Sequence, residues 1–157
     1  MIGDVPDHDD LLRLAVEAAR AAREHGNHPF GAVLADAAGT VLLTAENTVV
    51  TGRDPSAHAE TNAVRAAGAR FDAATLRSAT LYASTEPCAM CGGAIFWAGI
   101  GAVVYALAAT ELEVFAGAEP GLALTGRDVL ASGRPGVIVT GPTEVPGARA
   151  VHDGFWS

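Results

Sequence analysis

Cysteine is nearly absent from this chain, with two in 157 residues, and both fall in the single run Cys88-Ala89-Met90-Cys91. No further pair is left to build a disulfide framework, so a reducing compartment is the expected setting. Basic residues are also scarce: ten Lys and Arg stand against 18 Asp and Glu, a formal net charge of −8. No basic run and no interleaving of basic with aromatic side chains is present, which disfavours a surface built for phosphate backbones. Arg65, Arg70 and Arg77 do lie in one region. A local patch can act against the global charge, so RNA stays open as a partner although nucleic acid is not expected. The N-terminus lacks a basic start followed by an apolar run, so no secretory signal is expected and a cytoplasmic location is.

Charge is missing altogether from Pro87 to Thr110. An apolar run of that length raises the question of a membrane span. Gly92, Gly93, Gly99 and Gly101 divide it into a helix and a following strand, both apolar because both are buried in an α/β domain, and no membrane association is expected. The length suits one domain, residues 1–157, able to bury about 70% of its unfolded surface.

Leu11, Leu12, Leu14, Ala15, Ala18, Ala19 and Ala22 recur at helical spacing, behind Asp7, Asp9 and Asp10 and before Gly26, and predict an amphipathic helix over 9–25. Short apolar runs at 31–35 and 41–45, joined by a turn ending at Gly39, predict a β-hairpin. Residues 52–56 read as a loop, with Pro55 as stop and Ser56 as cap for a helix over 57–68 whose first turn holds His58 and Glu60. Strands are predicted at 79–84, 102–106 and 137–140, and a helix at 88–97 that Pro87 starts without wasting a hydrogen bond. Helix, hairpin, then alternating helix and strand make a layered α/β fold.

The chemistry sits in two segments. His58-Ala59-Glu60 is followed, 27 residues after Glu60, by Pro87-Cys88-Ala89-Met90-Cys91. A Cys-x-x-Cys alone serves redox enzymes, zinc ribbons and iron clusters alike. With His58 it supplies three zinc ligands, the number typical of catalytic sites that keep a fourth position for water, whereas structural sites close all four. Glu60, two residues past the histidine, is placed to carry protons without being a ligand. Both segments open predicted helices, whose N-terminal N–H groups favour the thiolate forms of Cys88 and Cys91.

Four strings carry a resemblance over about residues 9–120: Pro29-Phe30-Gly31-Ala32-Val33; Asn47, eleven residues before His58; Asp54-Pro55-Ser56-Ala57-His58-Ala59-Glu60; and the run from Leu81 to Cys91. The chain resembles the cytidine deaminase superfamily, in its branch of guanine, cytosine and tRNA adenosine deaminases. The resemblance implies a three-layer α/β/α fold with a mixed five-stranded central sheet. It also implies a homodimer or larger assembly, and Zn2+ on His58, Cys88 and Cys91.

The same resemblance gives Asn47 the hydrogen bond to a nucleobase and Phe30 the stack on it, with Ala59 among the substrate-lining positions. The alternatives are a core aromatic for Phe30 and a turn residue for Asn47. Ala94-Ile95-Phe96-Trp97-Ala98 resembles guanine deaminases, where an aromatic at the position of Trp97 walls the purine pocket. Those enzymes carry an acid about 28 residues after the second cysteine, which here is Glu119. Gly117-Ala118-Glu119 lacks their aromatic and exchanges Asp for Glu, so Glu119 is either a base-reading carboxylate or a solvated loop acid. Phe155 and Trp156 place two large aromatics at a chain end, usually a polar place; the resemblance implies that residues 146–157 form a tail covering an active site, its own or a partner's, and the alternative is that they dock onto the body as packing. His8, His25 and His28 receive no role.

The expected function is zinc-dependent hydrolytic deamination of a free nucleobase or similar aminated heterocycle, guanine first, with ammonia released. tRNA adenosine deamination and cytosine or nucleoside deamination are the enzymatic alternatives. A zinc-stabilised interaction module without catalysis is the alternative from another class.

Overall fold

Five runs of aliphatic residues pair into one sheet in the computed structural model, which describes residues 7–117 and 120–157. β1 (Gly31–Ala35) and β2 (Val41–Glu46) form the expected hairpin. Asp36 closes its turn, Oδ1 accepting from Ala38 N and Thr40 N at 2.9 Å each. With β3 (Thr80–Thr85), β4 (Ala102–Leu107) and β5 (Ile138–Thr140) the spatial order is β2-β1-β3-β4-β5. β1 is antiparallel to both its neighbours, while β3, β4 and β5 are parallel. The sheet is therefore mixed and five-stranded, as the resemblance implies.

Along the chain the helices are α1 (His8–Glu24), α2 (Val49–Gly52), α3 (Ala59–Arg70), α4 (Ala73–Ser78), α5 (Ala89–Ala98), α6 (Ala109–Ala116) and α7 (Gly126–Ala131), followed by a 3-10 turn at Ala150–His152. Strand alternation sends Ala32, Leu34, Leu81 and Val103 to one face, against Ala59, Ala63 and Ala67 of α3, Ile95 of α5 and Leu130 of α7. Val33, Ala35, Tyr82, Val104 and Ala106 point the other way, onto Leu11, Leu12, Ala15 and Val16 of α1 and onto Val145 and Ala148 of the C-terminal segment. Helices thus cover both faces, which makes three layers and explains why β1, β3 and β4 read as continuous apolar runs. Each fully buried Leu or Val contributes about 1.5–3 kcal/mol.

Four helices and the 3-10 turn were not predicted. α2, α4 and α7 span 4, 6 and 6 residues, too short for a periodic pattern. Two left cap signals: Asp72 accepts from Thr75 N at 2.8 Å, and Thr125 with Asp128 forms a capping box. α6 is apolar without a clear stripe, and Val114 on it is exposed. α3 starts at Ala59 rather than residue 57, because Ser56 does not cap it; Ser56 Oγ donates to Asp54 Oδ1 at 2.6 Å in the preceding turn. Pro87 likewise lies one residue outside the cap of α5 instead of inside its first turn. No helix among the described residues is long and apolar enough to cross a membrane.

The register gathers one end of the sheet. Gly31 pairs with Glu46, Ala32 with Ala83, and Thr85 with Leu107. The chain therefore enters β1 and leaves β2, β3 and β4 at the same edge, bringing Phe30, Asn47 and the segment 86–88 together. Crevices beyond the carboxyl ends of strands are where α/β sheets bind ligands.

Gly31 lets α1 lie directly on β1, since a Cβ there would stand 2.2 Å from Ala15 O and 2.4 Å from Ala19 N. Gly31→Ala should cost at least about 1–3 kcal/mol in a urea melt. Gly68→Ala, in α3 with nothing within 4 Å of the added carbon, should gain up to about 1 kcal/mol in the same measurement.

Candidate metal centre

Two helix starts build the site. His58 is the N-cap of α3 and Cys88 the N-cap of α5, with Cys91 one turn further in. Both helices pack on the same sheet face, so their first residues meet at the edge just described. Asn62 fastens α3 there, Nδ2 donating to Glu46 O and Thr48 Oγ1 at 2.9 Å each. α7 fastens α5: Gly126 N donates to Pro87 O at 2.9 Å, and a Cβ on Gly126 would stand 2.2 Å from that oxygen. Neither Asn62 nor Gly126 was predicted to matter; the Thr125-Gly126-Arg127-Asp128 box was the legible signal for the second.

Cys88 Sγ and Cys91 Sγ each lie 3.6 Å from His58 Nδ1, and the three ligand atoms fall within 4.8 Å of one another. Zn–S bonds of 2.3 Å and Zn–N bonds of 2.0–2.1 Å at tetrahedral angles separate N from S by about 3.6 Å. The donor set fits zinc in both chemistry and spacing. Among the described residues no other His, Cys, Asp or Glu belongs to the group, which leaves a fourth tetrahedral position open.

Glu60 is 5% exposed, and its Oε2 accepts from Cys91 Sγ at 3.5 Å. Burial pushes its carboxyl up to about 7. Cys88 is held down to about 4, chiefly by the hydrogen bond from Cys91 and then by His58, while Cys91, as that donor and buried, is pushed up. His58 is raised, first by its hydrogen bond to Cys88. Negative charge therefore concentrates on Cys88, at the start of a helix.

Asn47 and Phe30 form the adjoining rim. Asn47 is 1% exposed, its N donating to Phe30 O at 3.0 Å and its Oδ1 accepting from Val49 N at 3.0 Å. Phe30 is partly buried, and the tail lies on it, with ring centroids 5.5 Å to His152 and 6.0 Å to Trp156. Arg23 anchors the tail to α1, Nη1 donating to Val151 O at 2.9 Å and the guanidinium sitting over Phe155 at 5.6 Å. The tail thus packs on its own chain. His28, which sequence reasoning set aside, packs against Phe155 and Trp156. His8 and His25 pair with Tyr82 and Glu46.

The structure does not bring every expected residue in. Ala59 is buried next to His58 in the α3 core layer. Trp97 is 85% exposed, with its ring edge-on to Phe96 at 5.2 Å between centroids. The reason is helical phase: Cys91 and Ile95 face inward, and Trp97 falls on the opposite side of α5. Glu119 lies outside the described residues.

Comparison with known proteins gives the same direction. The sequence pattern described as "Cytidine and deoxycytidylate deaminase zinc-binding region" matches residues 5–107. The chain is similar to a probable cytosine deaminase of Schizosaccharomyces pombe, 40% identical over 149 residues, 92% of this chain and 90% of the relative. It is also similar to the guanine deaminase of Bacillus subtilis, 42% identical over 106 residues, 67% of each chain. A solved structure of guanine deaminase from Nitrosomonas europaea superposes with a TM-score of 0.80 at 26% identity, covering 94% of this chain and 84% of that one. Similarity extends to tRNA-specific adenosine deaminases.

His152, 2% exposed, is pushed down to about 4 from an ordinary 6.5, by burial first and the Arg23 charge second, against the opposing pull of Asp153. The unfolded tail takes up a proton as pH falls through about 6.5, the docked tail only near 4, so stability is full above 6.5 and is lost progressively between 6.5 and 4. His152→Phe should flatten this window. The difference between its thermal melts and those of the unmodified chain, read at several pH values, isolates His152 from other titrating groups.

Proposed function

The chain belongs to the cytidine and deoxycytidylate deaminase zinc-binding family, and from that membership we propose that it hydrolyses the exocyclic C–N bond of a free nucleobase, guanine first, releasing ammonia. His58, Cys88 and Cys91 would hold the zinc. When bound, zinc supplies water acidified from a pKa of 15.7 to about 7. Glu60 would take one water proton and pass it to the ring nitrogen beside the amine-bearing carbon as the water oxygen bonds to that carbon, then move the second proton of that oxygen to the amine, so that the C–N bond breaks and a carbonyl and ammonia are left. Phe30 stacks on the ring. Asn47, whose Oδ1 is engaged by Val49, donates from Nδ2 to the base. Residues 146–157 keep water from the stacked base as a cover.

What carries this function is Glu60, an acid only 5% exposed whose Oε2 stands 3.5 Å from the ligand sulfur of Cys91 without belonging to the ligand group. A purely structural zinc would have no use for it. The tail on Phe30 and the net charge of −8 support a small substrate over an RNA stem. Cytosine is the second reading, favoured by the 149-residue similarity to a probable cytosine deaminase, which runs far beyond the metal motif. Trp97, exposed on the helix that carries the cysteines, supports a homodimer in which a second copy covers it.

Ammonia release from the zinc-loaded protein should be found with guanine or cytosine in a panel that also holds adenine, the nucleosides and an anticodon stem-loop. Glu60→Ala should keep its zinc and lose about 10²–10⁴-fold in rate. Release from the stem-loop alone would replace the free-base reading by RNA editing, and near-normal activity of Glu60→Ala would remove Glu60 from the chemistry. Trp97→Glu should convert a dimer to a monomer in sedimentation velocity; an unchanged species would place the contact elsewhere.

A further inference from the structure

α2 offers no side chain to the core. None of its four residues is buried, and its N-cap Thr48 makes no side-chain bond to the helix. Its placement matters to the site all the same, because it lies in the loop from Asn47 to His58, which is closed at its base where Thr48 N donates to Ala57 O at 3.0 Å. One end of that loop carries the amide proposed to meet the base, and the other a residue of the metal group.

Two buried asparagines hold α2 in the absence of apolar packing. Asn47, 1% exposed, accepts from Val49 N on Oδ1 at 3.0 Å. Asn27, in the turn after α1 and also 1% exposed, accepts on Oδ1 from Val50 N at 3.1 Å, from Thr51 N at 3.0 Å and from Thr51 Oγ1 at 3.2 Å. Its Nδ2 lies 3.1 Å from the same hydroxyl. A backbone N–H can only donate, so both carboxamides are fixed with their oxygens toward α2. The first N–H groups of a helix have no partner within it, and here those of Val49, Val50 and Thr51 are divided between two side chains. Asn47 Nδ2 is left without a partner among the described residues and is not sealed from solvent.

We propose that Asn27 is a positioning residue for the substrate: by taking the N–H groups of Val50 and Thr51 it keeps the Asn47 oxygen on Val49 alone, and so keeps the Asn47 Nδ2 donor turned toward the base. The inference rests on the free-base deamination and the Asn47 contact proposed above. Without Asn27, two buried N–H groups would compete for the Asn47 oxygen, the acceptor already in that turn, and its rotation would withdraw Nδ2. Asn27 also precedes Phe30 by three residues, and Asn47 N donates to Phe30 O at 3.0 Å, so one side chain ties the stacking ring and the amide to a common frame. Asn27 acts through Asn47 and has no part in proton transfer.

Asn27→Ala and Asn47→Ala, alone and combined, test this in the zinc-loaded chain with the base that it turns over. Asn27→Ala should raise KM about three- to tenfold with kcat little changed and zinc content intact. Added to Asn47→Ala, it should change kcat/KM by less than about twofold, because the amide it positions is already gone. Asn27→Asp, which keeps an acceptor of the same shape, should restore KM toward that of the unmodified chain. Independently of turnover, the side-chain amide NMR resonances of Asn47, identified by their loss in Asn47→Ala, should move in Asn27→Ala and keep their place in Asn27→Asp. Losses that add in the double variant overturn the inference in favour of a purely structural role, as do unmoved Asn47 resonances in Asn27→Ala. An Asn27→Asp variant as impaired as Asn47→Ala also overturns it, and that result is readable even where Asn27→Ala does not fold. Silence of the unmodified chain on every base ends the free-base reading itself, and this inference with it.

Discussion

The close approach of α5 and α7 is the constraint on which the metal centre depends. Gly92 and Gly126 meet there with no room for a side chain on either: a Cβ on Gly92 would stand 2.9 Å from Gly126 Cα. The contact lets the start of α7 bond back to Pro87 O and hold Cys88 as the cap of α5. Cys88 in turn fixes how far its sulfur lies from His58, and the 3.6 Å spacing that suits a tetrahedral ion follows. A single added methyl group at Gly126 would be felt at the ligand atoms before it was felt anywhere else, because the displaced oxygen belongs to the residue preceding the ligand.

Ligands at helix starts share one electrostatic setting, within which hydrogen bonds and burial decide where the charge lies. The first N–H groups of a helix have no partners within it and favour anions. Cys88, the cap of α5, carries the depressed thiol, held down chiefly by the hydrogen bond from Cys91 and then by His58, while Cys91 and Glu60, in the first turns of their helices but more buried, are raised. Three acidic groups crowded into one small volume cannot all ionise against burial. A divalent cation relieves that competition, which is the physical reason the cluster suits a metal and would be a poor bare core.

Much of this was legible in the sequence, and for a reason. His58, Glu60, Cys88 and Cys91 are chemically conspicuous residue types at short spacings, and the hairpin, α1, α3 and α5 announce themselves by period and by glycine. The mixed sense of the sheet required the family resemblance, and its strand order came only with the structure. α7 was missed because its six residues make no period, yet it supports Cys88; Asn62 was missed because an Asn on a helix face carries no pattern until the end of β2 is beside it. Where Trp97 would lie was not legible, because neighbouring letters in a motif suggest neighbouring places, whereas helical phase turns Trp97 away from the face that holds Cys91 and Ile95.

The tail shows where substrate choice can reside. A three-ligand zinc set and a buried acid define a reaction, water displacing an amine, and say little about the ring that carries the amine. Ring identity has to be read by groups beyond the metal, and in this chain the residues gathered beside the centre come from separate stretches: Phe30 before β1, Asn47 after β2, Phe115 on α6, and His152 and Trp156 near residue 157. None of these is held by the metal, and all but Asn47 are joined in one set of ring contacts. A change in any one ring shifts the others it touches, so their effects on selectivity should not add independently. The metal cluster can stay constant while this aromatic set is rebuilt, and a fold can then serve different bases without altering the atoms that do the chemistry.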